Sequence, residues 1–158
     1  MIILDLSDVL RGGFEKLVFY LKLMKKKIIS IDKKDLRVFV EEKAEGKNIP
    51  IEIFVAPPGW AVIRTMLMKG DEVKKLVGST YILYRELLRL SFRFPEFNFA
   101  MDDDYNIYIV HYIFLGALSY DVFEEEYNAL PVAFEKFRRD LYPEIRRIIE
   151  EEQKIEIA

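Results

Sequence analysis

The chain contains no cysteine, one histidine, one tryptophan and one glutamine in 158 residues. Without cysteine there is no disulfide, no zinc–thiolate centre and no thiol nucleophile. That composition fits a reducing cytoplasm, the compartment expected here. With His111 the only histidine, a metal centre would have to be built almost wholly from carboxylates. Long apolar runs are also missing: none approaches the ~18 residues a membrane span needs. The N-terminus, MIILDLSDVL, has no basic stretch before its apolar residues and carries Asp5 and Asp8, so it does not read as a signal peptide. Phosphate-binding loops are absent too. Gly12-Gly13 precedes a helix, but neither GxxxxGKS/T nor GxGxxG spacing occurs. Ser79 sits in Val77-Gly78-Ser79-Thr80, which is not a nucleophile elbow. These absences predict a protein that is not an enzyme, with no catalytic residues, no cofactor and no metal.

Charge excludes less. With 24 basic and 27 acidic side chains the net charge is −3, which disfavours nucleic acid as a partner. Lys25-Lys26-Lys27, Lys33-Lys34 and Glu150-Glu151-Glu152 read as solvated charge at element ends. The abundance of Lys, Glu, Ile and Tyr resembles hyperthermophile usage. Asp102-Asp103-Asp104 lacks the spacing of a calcium loop and reads as a polar turn. Neighbouring glutamates in Glu124-Glu125-Glu126 point about 100° apart on a helix and do not converge on one site. His111 lies between Val110 and Tyr112 and reads as a satisfied sheet histidine.

What is present is periodicity. Ser7 or Asp8 can cap a first helix whose firm part is Phe14 to Lys26, with Leu10, Phe14, Leu17, Val18, Leu21 and Met24 on one face. Ile28 to Ile31 reads as a short strand or an extended lead-in. Strands follow at Leu36 to Glu41, at Ile49 to Val55 and from Trp60 to Lys69. Pro50 argues for an edge strand or a strand beginning, and Pro57-Pro58-Gly59 for a turn with Gly59 at positive φ. One long helix is expected from Asp71 to Phe92, striped by Leu76, Thr80, Leu83, Leu87 and Leu90 and stopped by Pro95. Phe97, Phe99 and Met101 pair across the Asp turn with Ile107, Ile109, His111 and Ile113 as a hairpin. Ser119 can cap a helix from Tyr120, Pro131 can open another at its first turn, and Pro143 predicts a kink or break in it. The expectation is a single α+β domain, residues 1–158, in the order α-β-β-β-α-β-β-α(α). Its five-stranded sheet is mostly antiparallel, with helices packed on it.

This order resembles the class I type III secretion chaperone-like fold and its YbjN-like relatives, regarded as sensory-transduction regulators. The likeness is carried by Leu87-Leu88-Arg89-Leu90-Ser91 followed by Phe97-Asn98-Phe99-Ala100-Met101-Asp102, by Leu118-Ser119, and by Tyr142-Pro143-Glu144-Ile145. It covers residues 35–149. It implies a small dimeric binding fold without catalytic residues. The chain departs from secretion chaperones in being only mildly acidic and in having two late helical segments, Tyr120 to Asn128 and Leu130 to Glu152.

Two surfaces stand out. Phe39, Phe54, Trp60, Tyr108 and Tyr112 sit on strands, and Phe39, Phe54, Tyr108, Tyr112 and Phe114 have the parity opposite to the aliphatic rows, so both sheet faces carry large apolar groups. The second face must meet a partner, another protomer or the middle helix, which makes Phe39, Phe54, Trp60, Tyr108 and Tyr112 partner-binding candidates. The middle helix carries Val77, Tyr81, Tyr84 and Leu88 beside its leucine stripe, more than one buried face needs, and these form the expected homodimer seam. The function expected is a non-catalytic protein- or peptide-binding module, chaperone-like or regulatory, that uses a sheet edge and an aromatic groove. The alternative is a small-molecule-sensing or catalytic α+β domain with its pocket under the first helix, where Arg64 and His111 would be the polar groups.

Overall fold

Asp5 opens the first helix, α1 (Leu6–Leu23): its carboxylate accepts the Ser7 N–H at 3.3 Å and the Ser7 hydroxyl at 2.7 Å. The computed structural model describes residues 5–76, 78 and 80–157. The cap is therefore two residues earlier than Ser7 and three earlier than Asp8. Gly12 and Gly13 lie inside the helix, and Gly13 sits so close to the Leu115 side chain that a Cβ would have to displace it. Leu10, Phe14, Leu17 and Leu21 form the buried face, each fully buried apolar side chain stabilising by roughly 1.5–3 kcal/mol. Lys25 closes the helix at φ 56°, and the Lys26 N–H reaches back to the Leu21 carbonyl at 3.0 Å, a left-handed closure without glycine.

The fold is α+β with an antiparallel sheet, and the sheet has six strands rather than five. Residues 27–32 are a full strand, β1 (Lys27–Asp32), followed by β2 (Arg37–Ala44), β3 (Lys47–Ala56), β4 (Trp60–Met68), β5 (Phe99–Met101) and β6 (Ile107–Phe114). Their order is β1-β2-β3-β4-β6-β5, so β1 and β5 are edges. The chain divides into two compact units, Met1–Thr65 with Val110–Pro131 and Met66–Ile109 with Val132–Ala158.

In the first unit, β2 and β3 are joined by Glu45 (φ 52°) and Gly46 (φ 69°), the paired positive angles of a two-residue hairpin. Pro50 is the fourth residue of β3, which is an inner strand, so of the two expectations the strand beginning describes it better than the edge. The registered pairing of β3 with β4 begins only at Glu52, so the missing N–H falls outside that run. The Pro57–Pro58 bond is cis, and Gly59 is not a positive-φ residue, contrary to expectation. Val38, Val40, Ile51, Ile53, Val55, Ala61 and Ile63 make the buried sheet face. α1 packs over β3, and α4 (Tyr120–Lys136) adds Phe123, whose ring lies 6.0 Å from that of Tyr20. Ser119 accepts the Val122 N–H at 3.3 Å, as expected of a cap.

In the second unit the expected long helix is two: α2 (Gly70–Lys74) and α3 (Thr80–Arg93). Gly78 at φ 81° breaks the run, a backbone state no helix accommodates. Asp71 does not cap α2; the Gly70 N–H is instead taken by Asn106 Oδ1 at 2.7 Å. β5 is shorter than expected, and Phe97 lies outside it, fully buried and stacked on Phe99 at 5.7 Å. Asp102 orders the hairpin turn, accepting the backbone N–H groups of Asp104 and Asn106 at 3.0 Å each and the Tyr108 hydroxyl at 3.0 Å. Pro131 does not begin a helix; α4 continues through it at the expense of one N–H donor. The disturbance expected at Pro143 appears as a π-helical turn, Phe137–Leu141, ahead of α5 (Tyr142–Ile157).

Candidate functional site

Because β1 ends the sheet, one row of its backbone N–H and C=O groups has no neighbouring strand among the described residues. β1 also carries a bulge: Ile28 pairs with Val40 and Ser30 with Phe39, leaving Ile29 extra and exposed. After the bulge, Ile31 returns opposite Val38, on the face that α1 covers. The turn that follows is held by Asp32, whose Oδ1 accepts the Lys34 and Asp35 N–H groups at 2.9 and 3.0 Å. Leu36 adopts φ 51°, which aims its side chain back under the helix.

The flank of α1 beside this edge repeats at helical spacing: Arg11, Glu15, Val18 and Lys22, with Phe14 and Phe19 alongside. Together with Ile31, Lys33 and Leu36 these side chains line a groove of about 530 Å³. Its walls are apolar. Its rim carries three cations, Arg11, Lys22 and Lys33, against one anion, Glu15. The groove lies beside the first helix, where the alternative reading of the sequence put its pocket. Neither polar group proposed for it lines it. His111 is buried against α4, its Nδ1 3.1 Å from the Glu126 carbonyl oxygen and 3.2 Å from Glu126 Oε2. Arg64 faces the other side of the sheet, its Nε 2.6 Å from Glu52 Oε2.

That other side is the aromatic face. Phe54 lies under two guanidinium groups, Arg37 and Arg64, each 4.7 Å from the ring centroid, and Glu52 pairs with both. Arginines so placed cover the ring and leave it little free surface. Phe39, registered opposite Glu52, is half-buried. Trp60 packs edge-on against Phe114 at 5.5 Å and Tyr112 at 6.4 Å, and all three rings are exposed. Tyr108 belongs to the second unit, where its hydroxyl is spent on Asp102. Of the expected partner-binding residues in the first unit, Phe54 lies beneath arginines and Phe39 is half-buried, while Trp60 and Tyr112 are exposed. Trp60 and Tyr112 form a true cluster, which Phe114 completes.

Of the expected seam, Val77 lies outside the described residues. Tyr81 and Leu88 on α3 are 74% and 70% exposed, and Tyr84 is half-buried. Phe92, which the leucine stripe did not single out, is 93% exposed, and it shares their side of the helix. Arg85 donates to Glu152 at 2.7 Å and lies 2.9 Å from Glu86, holding the Glu152 carboxyl below the usual carboxylate range.

Among the described residues no cluster of three or more His, Cys, Asp or Glu side chains is placed to hold a metal ion, and no helix is long and apolar enough to cross a membrane. The sheet edge with its basic-rimmed groove and the exposed row on α3 are the features that ask for an explanation. No protein-family model, curated protein or solved structure matches the chain, so these surfaces carry the functional reading by themselves.

Proposed function

We propose that the chain is a non-catalytic protein-binding module that takes up an extended peptide along the free edge of β1, beneath the flank of α1. The observation that carries this reading is the coincidence of an unpaired strand edge with an apolar groove on the same side of the sheet. A strand added to β1 gains main-chain hydrogen bonds, and every second side chain turns toward Phe14, Val18, Phe19 and Leu36. Arg11, Lys22 and Lys33 favour acidic residues between the apolar ones. A chaperone-like role is what the resemblance to secretion-chaperone-like proteins implies, and a cytoplasmic setting fits the cysteine-free sequence.

Twelve-residue peptides selected from a random display library on the purified protein test this. The selected peptides should alternate apolar residues with Asp or Glu. Their affinity, read by fluorescence anisotropy, should fall at least tenfold in Phe19→Asp and in Ile31→Asp and remain unchanged in Trp60→Ala. Peptides that bind the two groove variants as well as the wild type would refute the site. The groove volume also falls in the ~300–1,000 Å³ range of small-molecule sites, which favours a second reading: an amphipathic carboxylate with its tail on Phe14 and Leu36. Dodecanoate that displaces no peptide and raises no melting temperature would remove that second reading.

A further inference from the structure

We infer that α3 is the contact through which two copies of this chain associate, packed antiparallel about a two-fold axis. At 100° per residue, Tyr81, Leu88 and Phe92 fall within about 40° of one another, with Tyr84 at their flank. Ile82, Leu83, Glu86, Leu87 and Leu90 take the opposite side and are buried. At roughly 150–250 Å² per aromatic side chain, Tyr81 and Phe92 alone leave on the order of 300 Å² in water. With Leu88 the patch reaches the size that marks an interaction surface. Beside it, Arg85, Leu88, Arg89, Phe92 and Arg93 line a shallow groove of about 510 Å³, room for a ridge of side chains from outside.

Charge selects the occupant. A row of unsatisfied arginines would favour an acidic helix or an anionic lipid surface. Here Arg85 is held by Glu152 and Glu86, and Arg89 lies 2.8 Å from Glu86. Two of the three arginines along the groove are thus paired within their own chain, and the third, Arg93, stands at its end, so an identical row packed antiparallel meets little repulsion where a two-fold axis would otherwise double it. The register follows. Setting Tyr81 against Phe92 of the second copy also sets Arg85 against Leu88 and Tyr84 against Arg89. Aromatic meets aromatic, the Arg85 stem lies along leucine, and the Arg89 guanidinium reaches a tyrosine ring. Parallel pairing would place each arginine beside its own counterpart.

The full chain at about 50 µM, sized by gel filtration with light scattering, should have twice its 18.8 kDa mass. Leu88→Glu combined with Phe92→Glu should run as a monomer with an unchanged thermal melt, because both positions are exposed in the single chain. The chain has no cysteine of its own, so introduced ones report the register. Y81C mixed with F92C should form an inter-chain disulfide on oxidation. Neither variant should do so alone, since in this register identical positions lie roughly 16 Å apart along the helix pair, beyond the ~7 Å a disulfide spans. A monomeric wild type, a dimer that survives the double substitution, or a link formed by either single variant would overturn the inference. A monomer that binds phosphatidylglycerol vesicles through Phe92 would overturn it as well, in favour of a lipid surface. None of these outcomes touches the peptide groove, which is read through Phe19 and Ile31.

Discussion

Removing one oxygen atom from the centre of the first unit should be felt, and felt more at neutral pH than in acid. Tyr127 is fully buried, and its hydroxyl donates to Glu42 Oε2 at 3.0 Å. Lys26 Nζ lies 2.9 Å from the same oxygen and 5.0 Å from the Tyr127 ring centroid. Tyr127→Phe keeps the ring, and with it the packing against Phe123 at 5.9 Å. What is lost is a hydrogen bond to a charged group, about 1.5–3 kcal/mol in general. Glu42 retains Lys26 and some access to water, so the expected loss is nearer 1–2 kcal/mol. For a chain of this length that is a fall in melting temperature of roughly 2–8 °C. Burial pushes the Glu42 carboxyl up, but hydrogen bonds from Lys26, Tyr127 and the Lys43 N–H outweigh it and hold the group below its ordinary value. A carboxyl depressed in the folded state stabilises above its unfolded pKa, and that contribution disappears as pH falls through the folded value. The gap between wild type and variant should therefore be complete at pH 6–7 and narrow below about pH 4. Circular-dichroism melts across that range read it directly. An unchanged melting temperature at pH 7, or a gap equally wide at pH 3, would refute the assignment.

Two further outcomes follow from the second unit. A Cβ on Gly70 would overlap the Asp104 backbone carbonyl, so Gly70→Ala should destabilise by about 2–3 kcal/mol in urea titration, and a variant as stable as the wild type would contradict that close approach. Asp102→Ala should speed amide exchange at Asp104 and Asn106 while leaving Val40 and Ile53 of the first unit unaffected. Because hydrogen bonds from Asn106, with those from Tyr108 and Asp104, hold the Asp102 carboxyl low against burial, wild-type protection there should persist at pH 4 and be lost only below the usual aspartate range.

The buried rows were legible in the sequence because they obey a period. Leu10, Phe14, Leu17 and Leu21, and Val38, Val40, Ile51 and Ile53, lie where spacing put them. What escaped was decided by single residues or by tertiary neighbours. The break between α2 and α3 is Gly78 in a left-handed conformation, and a lone glycine in an otherwise helical pattern gives no warning of its angle. β1 read equally as a short strand or an extended lead-in because its bulge interrupts the alternation at Ile29. The aromatic residues of the open sheet face were found by parity, but parity says nothing of a cover. Tertiary packing puts Phe54 under Arg37 and Arg64 and leaves Trp60 exposed. The groove needed the turn at Asp32 and the left-handed Leu36 to bring Ile31 and Lys33 back to α1.

The bulge at Ile29 bears on how this chain survives at high concentration. An open strand edge is a template on which like edges stack without end. Here the extra residue Ile29 splits β1 into two short regular runs, Lys27 to Ile28 and Ser30 to Asp32, and twists the edge between them, while Lys27, Lys33 and Lys34 stand at its two ends. An incoming strand can zip a few residues and then stops. The edge is long enough to grip one short segment and too short to pass the pairing on, which lets a receptive surface exist without becoming the seed of a fibre.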